Sequence, residues 1–244
     1  MQMKLIKLDA IDSTNEFLKG LSNKENLENF TVVTAENQTK GKGQMGAVWV
    51  SEKAKNLIMS IFIKNQSLEI NSIFNLNVAV TTGVIEALKF YNIPSLSLKW
   101  PNDIMSYNFK IGGILIENSI KSDGSISSII GLGLNVNQTN FENLPKASSL
   151  ALVSNSTFDK EELLLKIVQE IKQNLIVLKS DPDSLWKNYT ENLFKKGKPM
   201  AFKDNMGNKF MGIIQGVSIN GKLQVLLEDD SIVEYDIKEI EMLY

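Results

Sequence analysis

The chain has 244 residues, of which 43% are hydrophobic and 22% are charged, and its formal net charge is −2. It contains no cysteine and no histidine, which excludes disulfides, thiolate catalysis and the Ser/His/Asp triad. All 26 basic residues are lysine, so a bound anion is held without the bidentate fork of a guanidinium.

The small net charge and the lack of a basic tail argue against DNA as a partner. No apolar run approaches the ~20 residues of a membrane helix, and the charged start does not resemble a signal peptide. We therefore expect a cytoplasmic protein with no membrane contact.

Strands and helices alternate along the first 193 residues. After a short strand at Lys4–Leu8, the spacing of Ser13 and Glu16 predicts a capping box that opens a helix through about Leu21. The spacing alone favours plain helix capping for Ser13, Thr14 and Asn15, which is compatible with a binding role because helix N-termini also attract anions and polar ligands. The remaining strands predicted in this part are Thr31–Ala35, Asn56–Ile63, Ser97–Trp100, Lys110–Ile116 and Ser125–Asn137, and the remaining helices are Asn71–Asn92, Glu161–Leu178 and Ser184–Asn192.

A polar, glycine-rich segment contains a literal G-x-G-x-x-G at Gly41–Gly46. The dinucleotide-binding fingerprint requires a helix to begin inside the motif and an acidic residue about 20 positions later. Here the sequence around Trp49 leads into a strand, and the acidic residue is at best Glu69, in the wrong context. We reject that interpretation. A flexible loop with Lys40 and Lys42 remains, whose backbone N–H groups are free to bind a phosphate or carboxylate. The alternative is a surface hairpin loop.

The central stretch Lys99–Asp103 has the sequence KWPND. Pro101 ends the preceding strand because it has no N–H to donate. Asn102 and Asp103 are then expected to lie at a turn. In the next strand, Gly112 and Gly113 indicate that a ligand or another backbone comes close. Lys110 therefore lies at the edge of a predicted pocket. The alternative is a solvated lysine before a buried strand with a bulge.

Two further segments carry weaker signals. Gly131–Asn137 combines an apolar strand with two glycines and Asn135, which indicates backbone close to a ligand or a core strand weakened by glycine. The polar loop Gln138–Ala151, with Pro145, is long enough to act as a lid.

The composition and hydrophobic pattern of the sequence change near residue 194. Lys195–Pro199 has the composition of a linker, and short strands joined by turn signals such as Asn220-Gly221 follow it. We predict a catalytic, ligand-binding domain at 1–193 and a small β domain at 194–244. The short strands predicted in the second domain are Met200–Phe202, Phe210–Val217, Leu223–Leu227 and Ile232–Tyr235.

Five motifs occur in the order and spacing seen in biotin–protein ligases, and the chain resembles that family from about Ile11 to its end. Only ~10 residues precede the resemblance, so we expect a short form without the N-terminal DNA-binding domain and without a repressor role. The motifs are Asp12-Ser13-Thr14-Asn15, the loop from Gln38 through Gly41–Gly46 to Trp49, Lys99–Asp103, Lys110–Glu117 and Gly131–Asn137.

The resemblance implies an α+β fold, with a mixed central sheet packed by helices as in class II synthetases and a small C-terminal SH3-like β-barrel. It implies an ATP- and Mg²⁺-dependent ligase that uses biotin as a substrate. Biotin's carboxylate attacks the α-phosphate of ATP to give biotinyl-5'-AMP, and a lysine of a biotin carboxyl carrier domain then displaces AMP. Family members often form homodimers by extending the central sheet, a point that no segment of this sequence decides.

The resemblance also assigns roles to residues. Lys110 would bridge the biotin carboxylate and the α-phosphate, Lys42 would close over the same anion, and Asp103 would act on the incoming lysine as base or orienter. Asn135 would contact nucleotide, and the predicted lid would fold over the adenine. The biotin-binding residues implied are Ser13, Thr14, Asn15, Gln38, Lys42, Gly43, Gln44, Lys110, Gly112 and Gly113, and the ATP-binding residues are Lys42, Gln44, Trp49, Asn102, Lys110 and Asn135. No residues are assigned to the metal.

The glycine loop departs from the family pattern, because many members have arginines where this chain has Lys42 and Gln44. Lysine keeps the charge without the fork, and glutamine keeps only a neutral donor, so we expect the adenylate to be held less tightly here. Two alternative functions remain. A lipoate–protein ligase would share the fold and a lysine, and a degenerate, non-catalytic protein would only bind biotin or its adenylate.

Overall fold

The computed structural model describes residues 3–65, 73–120, 126–142 and 144–244. Glu69, the first two residues of the helix predicted at Asn71–Asn92, and Ser125 at the start of a predicted strand lie outside these ranges, as does Asn143 within the predicted lid.

The described part of the chain contains a first unit of strands and helices, followed by a small unit of strands. The first unit comprises β1 (Lys4–Ile11), α1 (Thr14–Lys24), β2 (Thr31–Gln38), β3 (Leu57–Asn65), α2 (Ile73–Phe90), β4 (Leu96–Lys99), β5 (Asp103–Ser106), β6 (Phe109–Ile120), β7 (Ile126–Leu134), α3 (Leu150–Ser154), α4 (Lys160–Ser180) and α5 (Pro182–Glu191). The second unit comprises β8 (Pro199–Asp204), β9 (Lys209–Val217), β10 (Leu223–Leu226), β11 (Ile232–Tyr235) and β12 (Ile240–Leu243).

Among the described residues, seven strands form a mixed sheet in the order β1-β2-β3-β7-β6-β5-β4. Strands β1 and β2 run parallel, and the remaining neighbours run antiparallel. Successive side chains of a strand point to opposite faces, so Val33 and Phe62 pack with Leu18 of α1 on one face. Val32 and Ile61 join the large core on the other face, which α2 and α4 cover. The fold is therefore the predicted α+β arrangement of a mixed sheet packed by helices.

Helix α2 is the centre of the large core. It is long and apolar enough to cross a membrane by length and composition, with a mean hydropathy of 1.2, but 61% of it is buried within the protein. It packs against α4, α5 and β4. The contact with α4 is close, because a Cβ on Gly83 would lie 2.9 Å from the backbone nitrogen of Ile171. These contacts are those of a core helix.

The stretch from β4 to β6 differs from its prediction. Asp103 does not lie in an open turn: it begins β5, which the sequence analysis did not separate, and pairs with Lys99 of β4. The Trp100–Pro101 peptide bond between the two strands is cis. The predicted lid is also partly regular, because Ser149 caps α3 through its side chain, which accepts from the N–H of Leu152.

The β-rich C-terminal unit is confirmed. Within the described residues it is an antiparallel five-stranded sheet in the order β11-β10-β9-β8-β12, with β12 beyond the strands that the sequence analysis named. The unit docks on the first: the indole N–H of Trp100 donates to the carbonyl of Gly221 at 2.9 Å. Phe74 of α2 fills the space beside Gly221, where a Cβ would lie 2.4 Å from its ring. The division of the chain into two domains at residue 193 stays a prediction.

Candidate functional site

A cavity of about 290 Å³ lies where α1 begins, above the glycines of β6 and β7. The glycine loop closes one side, the turn after Pro101 closes another, and the segment between β11 and β12 reaches it from the C-terminal sheet. Elements distant in sequence therefore meet around one space, and each of them contributes polar groups.

The start of α1 gives the cavity a buried polar wall. Ser13 is the N-cap, and its hydroxyl accepts from the N–H of Glu16 at 3.5 Å. The next residue, Thr14, donates its N–H to Oε1 of Gln38 at 2.8 Å. Ser13, Thr14 and Asn15 are each at most 4% exposed. Capping and cavity lining are thus combined in the same three residues.

A chain of hydrogen bonds fixes the orientation of these groups. Oγ of Ser60 lies 2.7 Å from Oγ1 of Thr14 and 2.6 Å from Oδ1 of Asn15. An amide oxygen only accepts, and a hydroxyl carries one proton, so Ser60 donates to Asn15. The Thr14 hydroxyl also lies 3.0 Å from Oε1 of Gln38, so its single proton goes either to that oxygen or to Ser60. Asn15 then donates its amide to Glu117 at 2.8 Å. A Cβ on Gly131 would lie 2.5 Å from Oδ1 of Asn15, which explains the glycine in β7.

Lys110 and Asp103 form an ion pair on the opposite side of the cavity. Nζ of Lys110 lies 2.6 Å from Oδ1 of Asp103, and their side chains are 37% and 18% exposed. Asp103 pairs in register with Gly113, and the register shifts between Ile104 and Met105. The ammonium crosses above Gly113, where a Cβ would lie 3.5 Å from it. That distance is an ordinary van der Waals contact, so the lysine side chain would tolerate a Cβ at this position.

The predicted lid contacts the backbone of the same lysine. The N–H of Lys110 donates to the carbonyl of Lys146 at 2.8 Å, and the Lys110 carbonyl accepts from Ser148 at 2.9 Å. Asn135 is 6% exposed and donates its amide to the carbonyl of Ser148 at 2.9 Å. Asn135 therefore lies behind the cavity and supports the loop. Gly112 also lies behind it, where a Cβ would meet the backbone oxygen of Gly133 at 3.0 Å.

The glycine loop carries Lys42 over the cavity. Nζ of Lys42 lies 2.7 Å from Oε1 of Glu16, and this hydrogen bond lowers the pKa of the Glu16 carboxyl and raises the pKa of the Lys42 ammonium. The N–H of Gly43 donates to the carbonyl of Ala47 at 2.7 Å, which closes a tight turn, and Gln44 begins a single 3₁₀ turn inside it. No α-helix begins in the described loop, consistent with the rejection of a dinucleotide fingerprint.

Trp49 has a buried polar atom without a partner in the described part of the protein. Its indole nitrogen makes no hydrogen bond there, although buried polar groups are generally satisfied. The ring lies against Gly133, where a Cβ would lie 2.5 Å from it, and the Lys110 ammonium lies 5.9 Å from the ring centroid. The indole N–H is thus a buried donor that no described residue satisfies.

Most of the residues singled out from the sequence are brought together. Of the site residues that the resemblance implies, all except Gly112 and Asn135 line the cavity, whereas Lys40 and the predicted lid do not. Sequence reasoning missed Ser60 and Glu117, which complete the hydrogen-bond chain, although a lone serine in the apolar strand β3 was a signal. It also missed Met45 and Lys238, for which no local pattern existed.

The fold is α+β, and the candidate site is a polar cavity lined by lysines. The model of the biotin/lipoate A/B protein ligase family matches residues 8–137, just over half of the chain. The chain therefore belongs to that family.

Individual relatives agree with this assignment. The bifunctional ligase/repressor BirA of Bacillus spizizenii is 31% identical over 173 residues, which cover 69% of this chain and 52% of that protein. The biotin–[acetyl-CoA-carboxylase] ligase of Mycobacterium tuberculosis is 25% identical over 195 residues, which cover 79% and 71%. The biotin protein ligase of Aquifex aeolicus, solved in complex with biotin and ATP, is 29% identical with a TM-score of 0.81, and 98% of each chain is covered. The chain spans about half the length of the Bacillus relative.

Proposed function

We propose that this chain attaches biotin to a lysine of an acceptor protein in two steps that consume ATP. The observation that carries the proposal is the meeting, in one cavity, of a buried polar wall at the start of α1 with two lysines on separate elements, Lys42 and Lys110. A neutral polar ring and an anionic carboxylate are the two ends of biotin, and the cavity offers a matching environment to each. The solved relative from Aquifex aeolicus, described with biotin and ATP, supports the same chemistry.

The ring of biotin would be held by the hydrogen-bond chain of Thr14, Asn15 and Gln38. These groups are fixed in orientation by Ser60, so they meet a ligand without reorganising. The carboxylate would then lie towards the lysines. The absence of a side chain at Gly131 leaves room for the Asn15 amide, which keeps that amide in place for the ring.

In the first step, an oxygen of the biotin carboxylate attacks the α-phosphorus of ATP, pyrophosphate leaves, and a mixed anhydride forms. Two anions must approach each other, so catalysis depends on positive charge placed between them. Lys110 is the group proposed for that place, and Lys42 closes over the same anions from the loop. Lys110 is held by backbone bonds on both sides, so its ammonium is presented from a fixed strand.

The nucleotide would lie along Trp49, Gln44 and Asn102. The Trp49 indole N–H has no acceptor among the described residues and is available to a phosphate or sugar oxygen. Asn102 is held to the backbone of Ile114 by two hydrogen bonds, of 2.7 and 3.0 Å. Asn135 would act through the loop that it supports, since its amide is already bonded to Ser148.

A magnesium ion would be bound mainly by the nucleotide. Mg²⁺ commonly keeps several waters and binds through one or two carboxylates together with substrate phosphates. The described residues contain no group of three side chains that could hold a metal by themselves, and Asp103 is the carboxylate within the cavity. The ion's chemistry would be neutralisation of charge on the phosphates.

In the second step, the amine of the acceptor lysine attacks the carbonyl carbon of the anhydride, AMP leaves, and one proton is released. Asp103, 2.6 Å from Lys110, is proposed to orient that amine or accept its proton. The acceptor proposed is a biotin carboxyl carrier domain in the cytoplasm. Homodimer formation stays a prediction.

The decisive experiment is single-turnover formation of labelled biotinyl-AMP from biotin and Mg·ATP. Lys110→Ala is expected to lose at least about a hundredfold in rate, because removing a charged group from a transition state costs several kcal/mol. Lys40→Ala is the matched control: this loop lysine pairs with Asp12 outside the cavity, and its removal should leave the rate unchanged.

The same experiment separates the two alternative functions. Stabilisation by lipoate and not by biotin in a thermal scan would favour the lipoate ligase. Stabilisation by biotin with no adenylate and no pyrophosphate release would favour a binding protein. Equal loss of activity in both lysine variants would remove the special role of Lys110.

A further inference from the structure

We propose that Lys238, from the C-terminal sheet, binds the polyphosphate tail of the nucleotide in the cavity. The proposal rests on the proposed function, to which it adds a residue, and it assigns the C-terminal unit a direct part in substrate binding. Lys238 lies in the turn between β11 and β12 and lines the cavity together with the preceding Ile237.

Lys238 reaches the glycine loop across the boundary between the two units. Its ammonium donates to the carbonyl of Met45 at 3.3 Å, the middle residue of the 3₁₀ turn that follows Lys42. An ammonium has three donors, and the described structure uses one of them here. The remaining donors are available to an anion in the cavity.

The charges of the cavity point to Lys238 as its available cation. Lys42 is paired with Glu16 at 2.7 Å, and Lys110 is paired with Asp103 at 2.6 Å. Among the residues that the structure describes, Lys238 has no carboxylate partner and only a neutral carbonyl. A polyphosphate brings several negative charges, so the unpaired ammonium adds an attraction that no carboxylate of the protein already satisfies.

The backbone of Lys238 supports a role for its side chain. Its φ of 72° lies in the left-handed region, where glycine is favoured and residues with a Cβ are uncommon. A long cationic side chain at a position suited to glycine is consistent with a functional requirement, since such conformations cluster at ligand-binding sites. Lys195, with a φ of 59°, shares this conformation, but its ammonium lies 5.1 Å from the ring of Phe194 outside the cavity.

The ligand class is a polyphosphate, not an isolated carboxylate. The biotin carboxylate is assigned to Lys42 and Lys110, which line the cavity from separate elements. A third cation, entering from another part of the chain, is placed for the phosphates that leave as pyrophosphate. Adenosine lacks the polyphosphate tail of ATP. Comparing the affinities of ATP and adenosine therefore measures the contribution of the tail.

The experiment measures calorimetric binding of ATP, of adenosine and of biotin to the full-length protein and two variants. Lys238→Gly removes the ammonium and relieves the backbone, and Lys238→Met removes the ammonium and keeps the backbone as it is. Both are expected to weaken ATP binding about tenfold, as for loss of one charge-assisted hydrogen bond. Adenosine and biotin affinities should stay within about twofold. Lys195→Gly is the control, expected to change thermal stability as Lys238→Gly does and ATP binding not at all.

Unchanged ATP affinity in both Lys238 variants would overturn the proposal. A parallel loss of biotin affinity would also overturn it, because that result would make Lys238 a latch that only positions the loop through Met45. The readout is binding and does not require adenylate formation. A wild type that binds ATP and forms no biotinyl-AMP would therefore contradict the proposed function and leave the role of Lys238 measurable.

Discussion

The ammonium of Lys110 lies 2.6 Å from a carboxylate oxygen of Asp103, although the two residues are not opposite each other in the ladder. Met105 is paired with Lys110, and Ile104 is paired with Gly112, so the residue between them, Ile111, has no partner on β5. A bulge of this kind changes the aim of neighbouring side chains. The bulge thus lets Lys110 of β6 reach a carboxylate on β5.

This pair leads to a prediction about the two half-reactions. In Asp103→Asn, Lys110 keeps its charge, so adenylate formation should fall less than about tenfold. Transfer to the acceptor should fall by about a hundredfold or more, because an amide cannot accept a proton. Single-turnover assays of each step, with purified biotinyl-AMP for the second, provide the measurement. Equal losses in both steps would show that Asp103 serves mainly to position Lys110.

The glycine beside Asn15 should be required for biotin binding. Gly131→Ala places a Cβ 2.5 Å from Oδ1 of Asn15 and must displace an amide that is bonded to Ser60 and Glu117. Breaking a buried network of this size costs about 2–4 kcal/mol, so the biotin affinity measured by calorimetry should fall at least about thirtyfold.

Gly20→Ala is the matched control for this substitution. A Cβ at Gly20 meets nothing within 4 Å, and alanine in a helix interior is favoured over glycine by about 0.5–1 kcal/mol. The control should therefore bind biotin normally and melt at a slightly higher temperature. Normal biotin binding by Gly131→Ala would indicate that the ring lies elsewhere.

The glycine loop should hold the adenylate more tightly with an arginine at position 44. Gln44→Arg adds a cation to a residue that lines the cavity, and a hydrogen bond to a charged group contributes about 1.5–3 kcal/mol. Release of labelled biotinyl-AMP, followed by filter binding, should slow about tenfold or more. Gln215→Arg, on the remote strand β9, introduces the same charge without this effect. An unchanged release rate would contradict the expectation that Lys42 and Gln44, at positions where many relatives have arginine, weaken the binding of biotinyl-AMP.

The contact between Glu16 and Lys42 should compete with the bound anion. Glu16→Gln frees the lysine, and because exposed pairs contribute little, the gain in biotinyl-AMP affinity should be about two- to fivefold. The hydrogen bond to Lys42 lowers the pKa of Glu16 below 4.5 in the folded protein. The pair is thus intact above that ordinary value and is lost as pH falls through the lowered one. The difference between variant and wild type should vanish over the same interval, and a constant difference would argue against competition.

The sequence predicted most of the polar side chains that line the cavity, because each motif has a local cause. Capping explains Ser13, and paired glycines beside a lysine mark the position of Lys110. The motifs come together because the strands and the helix start that carry them surround one cavity. The roles assigned to these residues stay predictions.

Contacts between distant segments were beyond local reasoning. Lys238 is nearly 200 residues from the Met45 carbonyl that it contacts, and nothing in the turn around it specifies that approach. Asp103 was assigned to a turn because Pro101 ends a strand, but one residue after Asn102 the chain already pairs again as β5. A helical turn within the predicted lid was missed because the polar composition hides the cap at Ser149.

The hydrogen bond from Trp100 to Gly221 joins the end of β4 to the tip of a β-turn in the small sheet. Gly221 has a φ of 85° and no room for a side chain beside Phe74, so this turn is shaped by its neighbour as well as by its own sequence. Heat or denaturant that detaches the small sheet would expose an indole and a phenyl ring to water. The two units should therefore melt in one cooperative transition. A C-terminal sheet transplanted from another protein would dock only if its turn packed against Trp100 and Phe74 in the same way.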